Sequence, residues 1–187
     1  MKKLLSIALF LVFCIGFTAC SSTATNTANN STNKSKVYKQ GEEAFILNAS
    51  GKQIYSIKIN SVKVSADFLT EYNKDVLTEA NKKQILEVDY TYKNIAFTVD
   101  NKTAAAESRL EITGQDLLLS DFPGTVAQYA SFYSKLEPQE IPIGVKCNVQ
   151  AYYVLANVSN TVKISFNSDS HPKNGTITFE IPVTVSN

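Results

Sequence analysis

The chain has 187 residues, and its 18 basic and 17 acidic side chains give a formal net charge of +1 at pH 7. This near balance gives no electrostatic basis for binding nucleic acid or for a polybasic membrane patch. Hydrophobic residues make up 44% of the chain, which is ordinary for a globular domain that holds its core without metals or disulfides.

Residues 1–19 have the features of an export signal. A positive start, Lys2-Lys3, precedes the almost entirely apolar segment 4–19. A membrane-spanning helix needs about 20 apolar residues, and no charged stop-transfer sequence follows this one. The pattern therefore predicts a signal that is cleaved after export rather than a permanent transmembrane span.

The end of this segment, Phe17-Thr18-Ala19-Cys20, resembles the lipobox of bacterial lipoproteins, in which small residues precede a cysteine that receives a diacylglycerol. Phe17 departs from the pattern, because an aliphatic residue usually occupies that position. Acyl chains on Cys20 would hold the protein on a membrane, since each buried methylene contributes about 0.8 kcal/mol. The alternative is cleavage after Ala24, where Ser22 and Ala24 form a small-x-small pattern, and this would release a soluble protein.

The segment 21–36 contains twelve Ser, Thr or Asn residues and no large apolar one. Such a segment cannot bury enough surface to fold, so it is predicted to be a flexible tether. If Cys14 leaves with the signal and Cys20 is acylated, Cys147 remains alone and no intramolecular disulfide forms. We therefore expect three regions: a signal peptide at 1–19, a lipidated cysteine with its tether at 20–36, and a folded domain at 37–187.

From Glu43 onward, apolar and polar residues mostly alternate, which is typical of half-buried β-strands. The clearest strand is predicted over Gln84–Asn94. Further strands are predicted over 145–155, 162–166 and 177–185, with weaker signals at 44–48, 110–120 and 126–130. Within 55–64 the apolar residues change from odd to even positions, which predicts a β-bulge near Asn60 and Ser61. Pro182 falls on the outward phase of the strand 177–185, and this favours an edge position.

The segment 65–83 breaks the alternation. Its apolar residues recur at spacings of three and four, which predicts an amphipathic helix or helical loop. They are Phe68, Leu69, Tyr72, Val76, Leu77 and Ala80. About eight strands with one short helical insertion indicate an all-β protein, an antiparallel β-sandwich.

Three stretches of the domain resemble the immunoglobulin-like lipoprotein domains of Gram-positive bacteria, which share the fold of a secreted mycobacterial antigen. These stretches are the long strand at 54–64, the strand ILEVDYTYKN at 85–94, and Ile143-Gly144 with AYYVL at 151–155. The resemblance covers about residues 37–187 and rests on hydrophobic spacing; the insertion at 65–83 and the long loop 121–142 depart from the simplest members. It implies an immunoglobulin-like sandwich, and no catalytic residue, because the family has none established.

A Cys147–His171 pair is the first enzymatic arrangement to consider, because these are the one free thiol and the one histidine. Cys147 lies on the inward row of its strand, together with Val145, where cysteine acts as a small apolar side chain. His171 lies in the polar turn 167–175, which has neither the spacing of a calcium loop nor enough zinc ligands.

Glu87 and Asp89 share one outward strand face. The alternation indicates that both face water, so neither is expected to have the raised pKa that acid–base catalysis requires. We therefore expect no enzymatic activity, no metal and no cofactor.

Four aromatic residues on the loop 121–142 form the candidate binding surface: Phe122, Tyr129, Phe132 and Tyr133. Aromatics on a long loop above a rigid scaffold are typical of binding surfaces. The alternative is that they plug one end of the sandwich. Tyr152, on the outward phase of its strand, is a second candidate surface aromatic.

These features predict a membrane-anchored, extracytoplasmic lipoprotein that presents a non-catalytic domain to an envelope or extracellular protein. A carrier or sensor of a small apolar or sugar ligand, held between the sheets or under the loop 121–142, is one alternative. An inhibitor of an extracellular protease, by analogy with other immunoglobulin-like inhibitors, is another.

Overall fold

Nine β-strands account for almost all the regular structure of the residues that the structure describes. The computed structural model describes residues 36–65, 84–98, 109–130, 136–166 and 176–185. The strands are β1 Val37–Tyr38, β2 Glu43–Leu47, β3 Gln53–Val64, β4 Gln84–Asn94, β5 Leu117–Ser120, β6 Gln128–Ala130, β7 Lys146–Leu155, β8 Thr161–Phe166 and β9 Ile177–Val185. A single 3₁₀ turn, Gly114–Asp116, precedes β5. Within the described ranges no helix is long and apolar enough to cross a membrane, and the helix predicted at 65–83 lies almost entirely outside them.

The strands form two sheets that share β9. One sheet has the order β5-β8-β9, with β1 beside β9; the other has the order β3-β4-β7-β6, with β2 beside β3. The first part of β9 pairs antiparallel with β8, and its last three residues pair in parallel with β3. The result is an all-β sandwich of immunoglobulin-like architecture.

The sequence predicts an antiparallel sandwich, but the sandwich also contains parallel strand pairs. β9 runs parallel to both β1 and β3. An alternating hydrophobic pattern is the same for either strand direction, so it cannot reveal this difference.

Pro182 does not lie on an edge strand, because β9 has neighbours on both sides. It lies between the two neighbours that β9 has on this side: the pairing with β1 ends at Phe179, and the pairing with β3 begins at Val183. The N–H of Val183 donates to the carbonyl of Asn160 on the β8 side, at 2.9 Å. Successive N–H groups of a strand point to opposite edges, so the Pro182 nitrogen points away from β8, toward the gap between β1 and β3. Neither strand pairs with Pro182 there, so the lack of an N–H costs no ladder hydrogen bond.

The bulge predicted near Asn60 and Ser61 is confirmed. Ile59 lies opposite Tyr90 and Ser61 lies opposite Asp89, so Asn60 is the extra residue of β3. The bulge resets the alternation, and both Ile59 and Val62 are fully buried in the core.

Buried tyrosines tie the connections to the core between the sheets. The Tyr90 hydroxyl donates to the carbonyl of Ile112 at 2.8 Å, and the Tyr153 hydroxyl donates to that of Gly114 at 2.5 Å. Tyr92 donates to the carbonyl of Gln139. Burial raises the pKa of all three tyrosines well above their ordinary value of 10.0, so the hydroxyls remain protonated donors.

Two side chains differ from their expected environments. Val145 was expected to face inward but is exposed, because β7 begins only at Lys146, after the turn at Gly144. Tyr152 is buried although it lies on the outward phase of β7. It packs in a second apolar cluster, with Ile85 and Val154, on the outer face of the sheet.

Candidate functional site

A tight turn follows β5 and is braced by Asp121. A bridge between Ser120 and Val126 closes the turn, and the Asp121 N–H donates to the Thr125 carbonyl at 3.1 Å. The Asp121 carboxylate accepts the N–H of Thr125 at 2.5 Å and that of Gly124 at 3.2 Å. Gly124 has φ 120°, a conformation that residues with a Cβ rarely adopt. The sequence Asp-Phe-Pro-Gly therefore specifies an ordered turn.

Asp121 also links this turn to the connection between β7 and β8. The Asn157 side-chain amide donates to its second carboxylate oxygen at 3.3 Å. Burial opposes ionisation of Asp121, but the N–H groups of Thr125 and Gly124 and the amide of Asn157 outweigh it. Together they lower the pKa of Asp121 below its ordinary value of 3.8. The side chain is therefore a carboxylate at neutral pH.

The braced turn presents Phe122 to solvent. Phe122 is 57% exposed, and Val158, in the connection between β7 and β8, is 69% exposed. Both side chains line an open groove of about 420 Å³, and the polar residues Asn160, Thr161 and Glu180 line it as well. We call Phe122, Val158 and this groove the Phe122 rim.

The Val158 side of the rim is held by a buried polar pair. Gln84 accepts the N–H of Ser159 at 2.9 Å through its side-chain oxygen and donates to the Ser159 carbonyl at 3.1 Å. Gln84 and Ser159 are both buried. The backbone beside Val158 is therefore held in place by these hydrogen bonds. Sequence analysis missed Val158 as a surface residue, although it is the one apolar residue between Asn157 and Asn160.

Tyr129 has a different environment from Phe122. It lies in β6, is half-buried, and its ring centroid is 5.5 Å from that of Tyr153. A Cβ added to Gly114 would lie only 2.2 Å from the Tyr129 ring, so the ring covers the 3₁₀ turn closely. Burial raises the pKa of Tyr129. Phe132 and Tyr133 lie outside the described residues.

The residues considered for catalysis or metal binding are not assembled into a site in the described parts of the chain. Cys147 is buried, and its Sγ lies 3.7 Å from the carbonyl of Asn148. His171 and the rest of the turn 167–175 lie outside the described residues. Among the residues that are described, no group of three or more His, Cys, Asp or Glu side chains could hold a metal ion.

Glu87 and Asp89 are less solvated than the alternation suggested. Their side chains are 16% and 25% exposed, and the Lys63 ammonium lies 3.9 Å from Glu87 and 3.2 Å from Asp89. Ser61 donates to Asp89 at 2.7 Å, and the Tyr152 hydroxyl donates to Glu87 at 3.2 Å. Neighbouring strands supply these partners, so the two carboxylates belong to a hydrogen-bonded network on the sheet face.

The fold of this chain is similar to that of a solved structure. No protein-family model and no curated protein matches the chain. A candidate lipoprotein (ycdA) of Bacillus subtilis is similar in structure, with a TM-score of 0.53 and 16% sequence identity, over 76% of this chain. The fold is an immunoglobulin-like β-sandwich. The chain matches only 38% of the ycdA protein's length, and at this identity the likeness concerns the fold alone.

Two further solved structures are similar at 14% identity. MPT63, a secreted protein of Mycobacterium tuberculosis, has a TM-score of 0.49 and is matched over 81% of this chain and 99% of its own. The yjhA protein of Bacillus subtilis has a TM-score of 0.48, over 79% of this chain and 99% of its own.

Proposed function

We propose that this chain is an exported lipoprotein, held on the membrane by acyl chains on Cys20. In this proposal its immunoglobulin-like domain is a non-catalytic module that binds an envelope or extracellular protein through the Phe122 rim. The observation that carries the proposal is an exposed large aromatic residue on a turn that is already ordered. Aromatic anchors dominate the binding energy of protein interfaces, and an ordered turn loses little conformational entropy on binding.

Cys20 supports the anchored location, because it ends the apolar leader in a lipobox-like sequence. The description of ycdA as a candidate lipoprotein agrees with this location. Metabolic labelling with an alkyne fatty acid tests the anchor. Cys20→Ala should lose the label and Cys14→Ala should retain it, because residue 14 lies within the leader. Full labelling of Cys20→Ala would refute lipidation at this residue.

Site-specific photo-crosslinking in intact cells tests the rim. A photoreactive phenylalanine analogue at position 122 should give a discrete adduct with one protein, and Val158→Ser should weaken that adduct. The matched control carries the same analogue at position 145. Val145 is also exposed, but it lies at the opposite end of β7 from the connection that carries Val158. Equal adducts from both positions, or none from position 122, would contradict the proposal.

A carrier or sensor of a small ligand is the second candidate, because a groove of about 420 Å³ falls in the size range of small-ligand sites. A protein partner is better supported, because the groove is open and two exposed apolar side chains stand at its edge. A carrier would instead show a rise in melting temperature with one small molecule and no protein adduct. A protease as the crosslinked partner would favour the inhibitor alternative.

A further inference from the structure

The outer face of the sheet that contains β3, β4 and β7 carries a polar recess of about 350 Å³. It shares no lining residue with the groove of the Phe122 rim. Three lysines from three adjacent strands line it: Lys58 in β3, Lys93 in β4 and Lys146 in β7. Lys93 lies directly opposite Lys146, and Lys58 lies opposite Thr91, two residues before Lys93. Three ammonium groups therefore project from one small area of the sheet.

These three lysines form no ion pair with any carboxylate of the described residues. Lys63, on the same face, shows the contrast, because it lies 3.2 Å from Asp89. Glu43 is the one acid among the described residues that line the recess. It lies opposite Lys58 in the strand register but accepts a hydrogen bond from the Ser56 hydroxyl at 2.6 Å. Like charges placed directly opposite each other on a sheet repel. An anion bound between Lys93 and Lys146 would offset the repulsion between these two ammonium groups.

The floor of the recess is already ordered by a chain of hydrogen bonds across three strands. The Asn60 amide donates to the Thr91 hydroxyl at 2.8 Å, and that hydroxyl donates to the side-chain oxygen of Asn148 at 2.8 Å. No hydrogen bond to another described residue uses the N–H groups of the Asn148 side chain. They remain to donate to an anionic oxygen beside Lys93 and Lys146.

We propose that this recess binds a chain-like polyanion made of phosphate groups. A lysine ammonium is a compact point charge with three donors, and it binds phosphate oxygens without requiring one fixed orientation of the phosphate group. None of the described residues that line the recess is aromatic, so none of them offers a ring to stack on bases or sugar rings. Adjacent strands are about 4.8 Å apart, so the lysines span roughly 10 Å across the face, enough for successive phosphates of one chain. A thin chain enters a recess of this kind, and a flat bilayer surface does not.

Binding of labelled linear polyphosphate to the full-length chain in neutral detergent tests the proposal. We expect Lys93→Gln/Lys146→Gln to weaken binding at least tenfold at low salt, and wild-type affinity to fall by about tenfold or more between 50 and 200 mM salt. The matched control is Lys39→Gln/Lys163→Gln, which removes the same charge near Glu180 on the other sheet. Equal losses in the two variants, or no wild-type binding, would overturn the proposal.

Melting temperature separates loss of binding from loss of the fold. The variant without Lys93 and Lys146 should melt at or above the wild type, because the repulsion between them is gone. Polyphosphate should raise the melting temperature of the wild type and leave that of this variant unchanged. Lys58→Gln, which leaves the opposed pair in place, should weaken binding by roughly threefold.

Neutral micelles doped with phosphatidylglycerol distinguish the source of the phosphate. Binding to these micelles without binding to polyphosphate would overturn the proposal of a chain-like ligand. The experiment does not depend on the Phe122 rim, so either proposal can fail without the other.

Discussion

Replacing Gly114 with alanine tests whether Tyr129 closes the sandwich or is available to a partner. Gly114 is buried in the 3₁₀ turn beneath the Tyr129 ring, and its φ is not positive, so the backbone itself accepts alanine. At a site with free space, this substitution would stabilise the domain by about 0.4–1 kcal/mol, because it restricts the unfolded chain. The sign of the measured effect therefore reports the space above the turn.

The structure leaves no such space. The new Cβ would lie 2.2 Å from Tyr129 Cε2 and 3.0 Å from the Cβ of Ala151. Either the ring leaves its contact with Tyr153, or the turn shifts and disturbs the 2.5 Å hydrogen bond from the Tyr153 hydroxyl to the Gly114 carbonyl. Overpacking costs about 1–3 kcal/mol and a weakened buried hydrogen bond about 1 kcal/mol. After the gain from the unfolded chain, we expect a net loss of about 2 kcal/mol.

Urea unfolding followed by far-ultraviolet circular dichroism measures this loss. In a Tyr129→Ala background, the cost of Gly114→Ala should fall below about 0.5 kcal/mol, which gives a coupling of roughly 1.5 kcal/mol between the two positions. If Gly114→Ala is as stable as the wild type in both backgrounds, the ring does not press on the turn. Tyr129 would then belong with Phe122 among the residues available for binding.

Four other changes test the turn and the sheet. Phe122→Ser should alter the free energy of unfolding by less than about 0.5 kcal/mol, and a large loss would show that the ring packs in the core. Asp121 has a folded-state pKa lowered below 3.8, so the stability it contributes is complete above that pH and is lost as the pH falls through the folded-state value. Between about pH 6 and pH 2, the urea midpoint should therefore fall less for Asp121→Asn than for the wild type. An equal fall in the two proteins would contradict this role. Deletion of Asn60 should leave the domain folded, because it keeps the strand faces on both sides of the bulge and loses only local hydrogen bonds such as that to Thr91. Deletion of Lys58 should unfold the domain, because it reverses the faces of the preceding part of β3. Equal melting temperatures for the two deletions would contradict the assignment of the bulge.

The strands were predictable because side-chain alternation is a local property. Tyr90 and Tyr92 lie two residues apart in the predicted strand Gln84–Asn94, so alternation places both on one face, and both are buried. The change of parity in β3 predicted the bulge near Asn60 and Ser61. Pairing direction and the sharing of β9 were not predictable, since they depend on which distant strands become neighbours. The burial of Tyr152 was missed for the same reason, because Ile85 and Ala130, which pack with it, come from other strands.

The candidate site was predictable only in part. The sequence selects Phe122 and Tyr129 together, because both are aromatics on one predicted loop. It cannot separate their environments, because Gly114 and Tyr153, which receive the Tyr129 ring, lie elsewhere in the chain. The lysine recess was missed because its members lie on three strands, and only the register brings Lys93 opposite Lys146.

Strand β9 determines when the domain can close during synthesis. It follows the other eight described strands in chain order, and its inward residues Ile177, Phe179 and Ile181 are buried in the core. It is also the strand that pairs with both sheets, and the Thr184 hydroxyl donates to the Val62 carbonyl across 122 residues of sequence. Chains stopped before residue 176 should therefore be digested rapidly by protease, and resistance of such chains would refute this order. A chain exported through a narrow channel passes in an unfolded form. Among the described strands β9 is the one that pairs with strands of both sheets, so we expect the sandwich to close only after β9 has crossed.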